Sequence, residues 1–192
     1  MQNAEPTPDL AAQQRHHLGL VIFLVSLAVL FAASLVGYII TRLAMPEGSV
    51  DLPAGLWFST VLLLLSGLTI HKTQTSLHQD QFTWAHRWLK ATFALSLAFL
   101  IVQAPCVLFL LESHWRVLNQ ENFGGYGLVL ALIAIHALHV IGGMVPLAWQ
   151  TYRAHFHGLS RAQAPNLRSC ALYWHFLDGV WLIMFALFLL TD

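Results

Sequence analysis

Apolar residues run through this chain in five long blocks, and the polar residues collect in the gaps between them. The blocks extend from Leu18 to Ile40, Ala54 to Ile70, Ala91 to Leu111, Gly127 to Tyr152 and Ser169 to Leu190. About 20 helical residues cross the roughly 30 Å hydrocarbon core of a bilayer, so each block reads as one crossing. Each must be a helix, because hydrocarbon offers no partner to backbone N–H and C=O groups. The pattern therefore predicts an all-α, polytopic membrane protein: a bundle of five transmembrane helices forming a single domain over residues 15–192, after a flexible polar tail over residues 1–14. The first block outruns the 7 to 15 apolar residues of a usual signal peptide and lacks its small-residue cleavage pattern, so it reads as a retained helix.

Composition agrees with the pattern. Of 192 residues, 57% are hydrophobic and 9% charged, against about 25% charged in soluble domains. Cationic residues favour cytoplasmic loops, and they are unevenly divided here. Arg15, Lys72, Arg87, Lys90, Arg153, Arg161 and Arg168 fall on one side, Arg42 and Arg116 on the other. That asymmetry predicts an inner N-terminus and an outer C-terminus. The formal net charge is zero, which gives no reason to expect nucleic acid as a partner. Cys106 and Cys170 fall near opposite ends of their helices, too far apart for a disulfide.

The loops are short. Met45 to Gly48, Asp51 to Pro53 and Asn122 to Gly125 read as turns on the outer side, and Ala164-Pro-Asn166 as a stop before the fifth helix. Pro105 and Pro146 are candidate kink sites. No pair of corresponding broken helices marks the inverted repeat common in secondary transporters.

Two blocks carry polar groups at their centres. An Asp in mid-membrane costs roughly 2.5 to 3.5 kcal/mol, so Asp178 needs a partner or a cavity. His175, three residues earlier, shares its helical face. In the fourth block His136 and His139 have the same spacing, and Gly142 and Gly143 predict close approach of a neighbouring helix. The four polar residues form a candidate buried cluster between the fourth and fifth helices. It could fix helix packing, relay protons, or hold metal or haem. Counted from the inner ends at 1.5 Å per residue, His175 and Asp178 lie about 9 and 14 Å deep, and His139 and His136 about 20 and 24 Å. Paired haem ligands need matching depths, so the offset argues against haem. His16, His17, His71, His78, His86, His155 and His157 gather on the predicted inner side, either as solvated loop residues or as groups that collect protons. For all seven tryptophans the reading is interfacial belt or helix packing. No haem-attachment, phosphate-loop, metalloprotease or nucleophile-elbow motif is present. Catalytic residues and bound cofactor or metal are thus expected to be absent from this chain.

Three stretches together resemble the subunit III family of haem-copper terminal oxidases, the cytochrome c oxidase and ubiquinol oxidase subunit III proteins. His136-Ala-Leu-His139-Val is similar to that family's His-x-x-His-Val pattern. Tyr173-Trp-His-Phe-Leu-Asp178-Gly-Val-Trp181 resembles its Tyr-Trp-His-Phe-x-Asp-x-x-Trp ending, and Leu56-Trp-Phe-Ser-Thr60 is a weaker likeness in the second helix. The resemblance covers all five helices in order and matches the short bacterial form. It implies a non-catalytic subunit of a respiratory oxidase that reduces oxygen to water and pumps protons, in the bacterial inner (plasma) membrane. It also implies haem and copper in partner subunits, subunit I and other oxidase subunits as neighbours, support of subunit I's stability and proton uptake, and membrane lipid, with a structural phospholipid allowed. The chain departs from the family at Leu27, which follows Ser26 where an acidic residue is usual. It departs again at Pro105 and Cys106, where an aromatic and an acidic residue are common. A small proton-coupled carrier, a b-type haem anchor and a nitric-oxide-reductase accessory protein are the alternative functions. Neither departure indicates whether cytochrome c or quinol is the electron donor.

Overall fold

The computed structural model describes residues 8–44, 54–117 and 124–191. They form α1 (Pro8–Ala44), α2 (Gly55–His78), α3 (Phe82–Val117), α4 (Gly124–His157), a single 3-10 turn (Arg161–Gln163) and α5 (Ala164–Thr191), and no strand occurs among them. All five helices contain a stretch long and apolar enough to cross a membrane. The outer loop from Met45 to Pro53, residues 1–7 and the start of the Asn122 turn lie outside the described residues.

The helices are longer than the apolar blocks. Residues 8–14, assigned above to the polar tail, are helical in α1; α2 continues to His78, α3 begins at Phe82 and α4 continues to His157. A helix satisfies its own backbone on both sides of the hydrocarbon boundary, so polar residues extend it without penalty. Ala164-Pro-Asn166, expected to stop the chain before α5, instead forms its first turn. A proline there loses only an N–H that has no helical partner. Pro105 and Pro146 lie inside continuous helices.

The α2–α3 connection is the tightest. Gln81 N–H reaches back to Ser76 C=O (2.9 Å) and Asp80 N–H to Leu77 C=O (3.3 Å), the crossed bonding of a Schellman C-cap. The capping residue is Asp80, at a φ of 58°, where glycine is the usual occupant. Arg161, next to α5, closes a two-pronged ion pair with Asp80 through its Nε and Nη2 atoms. The α2–α3 turn is thereby tied to the start of α5.

α2 packs most extensively on α3, and α3 on α4; α5 touches α1, α2 and α4. Small hydroxyl residues line the α2–α3 seam, where Ser66, Thr73, Thr92 and Ser96 are buried. Their hydroxyls turn back to carbonyls of their own helices, which lets two helices approach closely without stranding a polar group. The Thr92 and Thr69 hydroxyl oxygens also meet across the seam, 2.9 Å apart. α1 is the least enclosed helix and meets only α4 and α5 to any extent. Its buried contacts are few and aromatic: Phe31 against His139 (5.5 Å between ring centres) and Tyr38 against Phe188 (5.4 Å).

Candidate functional site

α5 presents Trp174, Asp178 and Trp181 at i, i+4 and i+7, a spacing that puts all three on one helical face. That face meets α2. Trp174 Nε1 donates to Ser66 Oγ and Trp181 Nε1 to Thr60 Oγ1, both at 2.9 Å. Both indoles are buried, so the paired hydroxyl removes a desolvation cost of about 1 to 3 kcal/mol from each N–H. The two bonds fix α5 against α2 in depth and rotation.

Between these bonds Asp178 lies against Gly67. A Cβ on Gly67 would collide with the Asp178 carboxylate, so the glycine is what admits it. Asp178 is 7% exposed. Its Oδ2 lies 3.7 Å from Nδ1 of His175, and its Oδ1 has no protein partner. His175 is half-exposed, and its ring centre is 6.4 Å from that of His71, one turn beyond Gly67 on α2. A carboxylate within the bundle thus leads through one imidazole to a second near the end of α2. Such an arrangement can hold and exchange a proton.

The histidines of α4 lie elsewhere. His136 is 1% exposed, and neither ring nitrogen has a hydrogen-bond partner. Its ring is tilted against Trp181 (5.2 Å) and edge-on to Phe31 (6.1 Å). His139 uses Nδ1 to donate to Ile135 C=O (2.7 Å), while its own C=O accepts from the Tyr173 hydroxyl (2.8 Å). The expected single cluster of His136, His139, His175 and Asp178 between α4 and α5 therefore resolves into two pairs. The α5 pair faces α2, and the α4 pair packs against α1 and Trp181. The tryptophan bonds to Ser66 and Thr60 account for the difference, because they turn the Asp178 face toward α2. Helix spacing alone would have shown that the three α5 residues share a face; which helix they meet required the fold.

The two glycines also separate. A Cβ on Gly143 would come within 2.6 Å of the Tyr173 ring, whereas nothing lies within 4 Å of one on Gly142. Only Gly143 serves close packing. Gly67, absent from the sequence expectations, is the tighter position, and a small residue facing an intramembrane Asp was its only signal. Leu27 is buried on the α1 face that holds Phe23 against Tyr173 and Phe31 against His139. The departure from the family at this position places an apolar side chain in an aromatic seam. Cys106 packs on Gly55, and both cysteines are free. Nearby on α3, Gln103 is buried with both amide atoms unpaired. Trp174 and Trp181 are interior packing residues, while Trp57, Trp84, Trp115 and Trp149 are exposed. Among the described residues no group of three or more His, Cys, Asp or Glu could hold a metal ion.

Comparison with known proteins gives a consistent answer over the whole length. A family model described as cytochrome c oxidase subunit III matches residues 5–190. The cytochrome c oxidase subunit 3 of Synechocystis sp. is 29% identical over 96% of this chain and 82% of its own length. Subunit 3 of the cytochrome bo(3) ubiquinol oxidase of Buchnera aphidicola is 25% identical over 94% of this chain and 88% of its own length. The cytochrome c oxidase subunit 3 of Alkalihalophilus pseudofirmus is 29% identical over 88% and 83%. With five apolar helices in order, an α5 keyed to α2 through two indole bonds, and a family match across nearly every residue, the chain belongs to the cytochrome c oxidase subunit III family.

Proposed function

We propose that this chain is a non-catalytic subunit that packs beside the haem- and copper-bearing subunit I of a respiratory oxidase, prolongs its working life and supports its proton uptake. The proposed location is the bacterial inner membrane, with the N-terminus inside. The observation that carries the proton role is the Asp178–His175–His71 line, which joins a buried carboxylate to two imidazoles of decreasing depth. His71 lies toward the end of the bundle where Lys72, His78, Lys90 and His155 also gather, the side that cationic residues assign to the cytoplasm. Imidazoles there can take up protons and pass them to a neighbouring chain. Haem and copper chemistry belongs to the partner subunits in this reading, and this chain contributes packing and protonatable groups.

Deleting the chain tests the proposal. Oxidase purified without it is expected to begin reducing oxygen at close to the intact rate and to lose activity over repeated turnover much sooner. An unchanged working life would overturn the reading.

A further inference from the structure

The bundle interior around Trp181 gathers polar groups that the α2–α5 contact does not use. Trp181 donates its indole N–H to Thr60 Oγ1 at 2.9 Å. Its ring also meets His136 of α4, with centres 5.2 Å apart, and Phe99 of α3, 5.8 Å away. Gln103 lies one turn beyond Phe99 on the same face of α3. Its depth follows from the α2–α3 seam, where Thr69 and Thr92 meet. In this antiparallel pair, an equal number of residues further from the turn along each helix brings Thr60 level with Ile101. Gln103 is two residues beyond Ile101, a rise of about 3 Å. Thr60, Gln103, Trp181 and the His136 ring therefore converge on one level of the bundle.

Two of these side chains are fully enclosed and unpaired. His136 is 1% and Gln103 2% exposed, and among the described residues neither ring nitrogen and neither amide atom has a hydrogen-bond partner. Leaving such groups unpaired forfeits the desolvation penalty of each, whereas apolar side chains of similar shape would fill the same space without it. A neutral imidazole offers one donor and one acceptor, and the amide offers both kinds as well, so a ligand that satisfies them must donate and accept. An anion only accepts. A metal ion would find one imidazole and one amide oxygen, fewer ligands than it needs. Water does both, fits an enclosed place and is held by two to four polar partners.

We propose that an ordered water molecule, enclosed beside Trp181, bridges the Gln103 amide of α3 to the His136 ring of α4. The bridge ties α3 to α4 at the depth where Trp181 ties α5 to α2, so that four helices are keyed to one another at a single level.

The test is an electron cryo-microscopy map of the complex purified through a tag on this chain, at a resolution that shows ordered water. A density peak is expected within about 2.7 to 3.2 Å of both the Gln103 amide and the His136 ring. A map with no peak between the two side chains, or with the amide bonded directly to the ring, would overturn the proposal. The thermal midpoint of the same complex, followed on this chain, gives a second reading. Gln103→Leu and His136→Phe each leave the water and the remaining polar group short of a partner, so each is expected to lower the midpoint. The double variant removes both groups that the water bridges, and its loss is expected to be smaller than the sum of the two single losses. Losses that simply add would contradict the bridge. Because neither readout is oxygen reduction, the result is independent of the proposed role in turnover.

Discussion

Asp178 and Gly67 form one unit: the carboxylate occupies the space that the missing side chain leaves. Gly67→Ala is therefore expected to destabilise the α2–α5 contact by about 1 to 3 kcal/mol, the usual range for overpacking. Asp178→Asn keeps the shape but removes the proton that the carboxyl can exchange. In the assembled oxidase it is expected to shorten working life, or loosen the chain's association, more than it lowers the initial rate of oxygen reduction. An immediate loss of turnover in fully assembled enzyme would contradict this. The adjacent glycines of α4 make a sharper pair. Gly143→Ala should push on the Tyr173 ring and lower the thermal midpoint, whereas Gly142→Ala should be neutral or stabilising by up to about 1 kcal/mol. Sequence alone did not separate these two positions. Adjacent helical residues point about 100° apart, and which one meets a neighbour depends on where that neighbour sits.

At the level of elements, the link from the α2–α3 turn to α5 rests on Asp80 and Arg161. The Arg161 guanidinium bonded to the Asp80 carboxylate holds that carboxyl below its ordinary value of 3.8. The lowered folded value means that the pair supports the turn above the ordinary Asp range and is lost as pH falls through the depressed value. Hydrogen exchange at Gln79 to Gln81 should therefore be flat from neutral pH down to the carboxylate range, after correction for intrinsic rates. Asp80→Ala should raise exchange at neutral pH. Asp80→Gly separates the two contributions, because it relaxes the backbone at φ 58° while removing the ion pair. Faster exchange in Asp80→Gly than in wild type would assign the turn's order chiefly to Arg161. The five crossings were legible in sequence because each apolar run requires its own helix. Their ends were not, since α2, α3 and α4 carry polar residues past the membrane boundary without breaking. Leu27 belongs to this scale also. It sits on the α1 face that carries Phe23 and Phe31 against α4 and α5, so Leu27→Ala should detach α1 more than it disturbs the other helices. A loss of about 2 kcal/mol is expected from the cavity, read as accelerated proteolysis between α1 and α2.

Across the whole molecule, α5 is the element that joins the others. It alone touches α1, α2, α4 and the 3-10 turn, and it carries the residues that most closely match the family's ending. The motif identified the family before any coordinate did, yet it did not disclose that its aspartate faces α2 or that its second tryptophan joins Thr60 to His136. Those relations depend on the order of helices around α5, which local spacing does not encode. A chain that works as a subunit of a haem-copper oxidase is recovered together with the subunit that carries the haem. The most direct measurement is native mass spectrometry of the complex purified through a tag on this chain, with an optical spectrum of the same sample. A haem-bearing subunit I is expected in stoichiometric amount. Recovery of the chain without subunit I and without haem absorbance would contradict it.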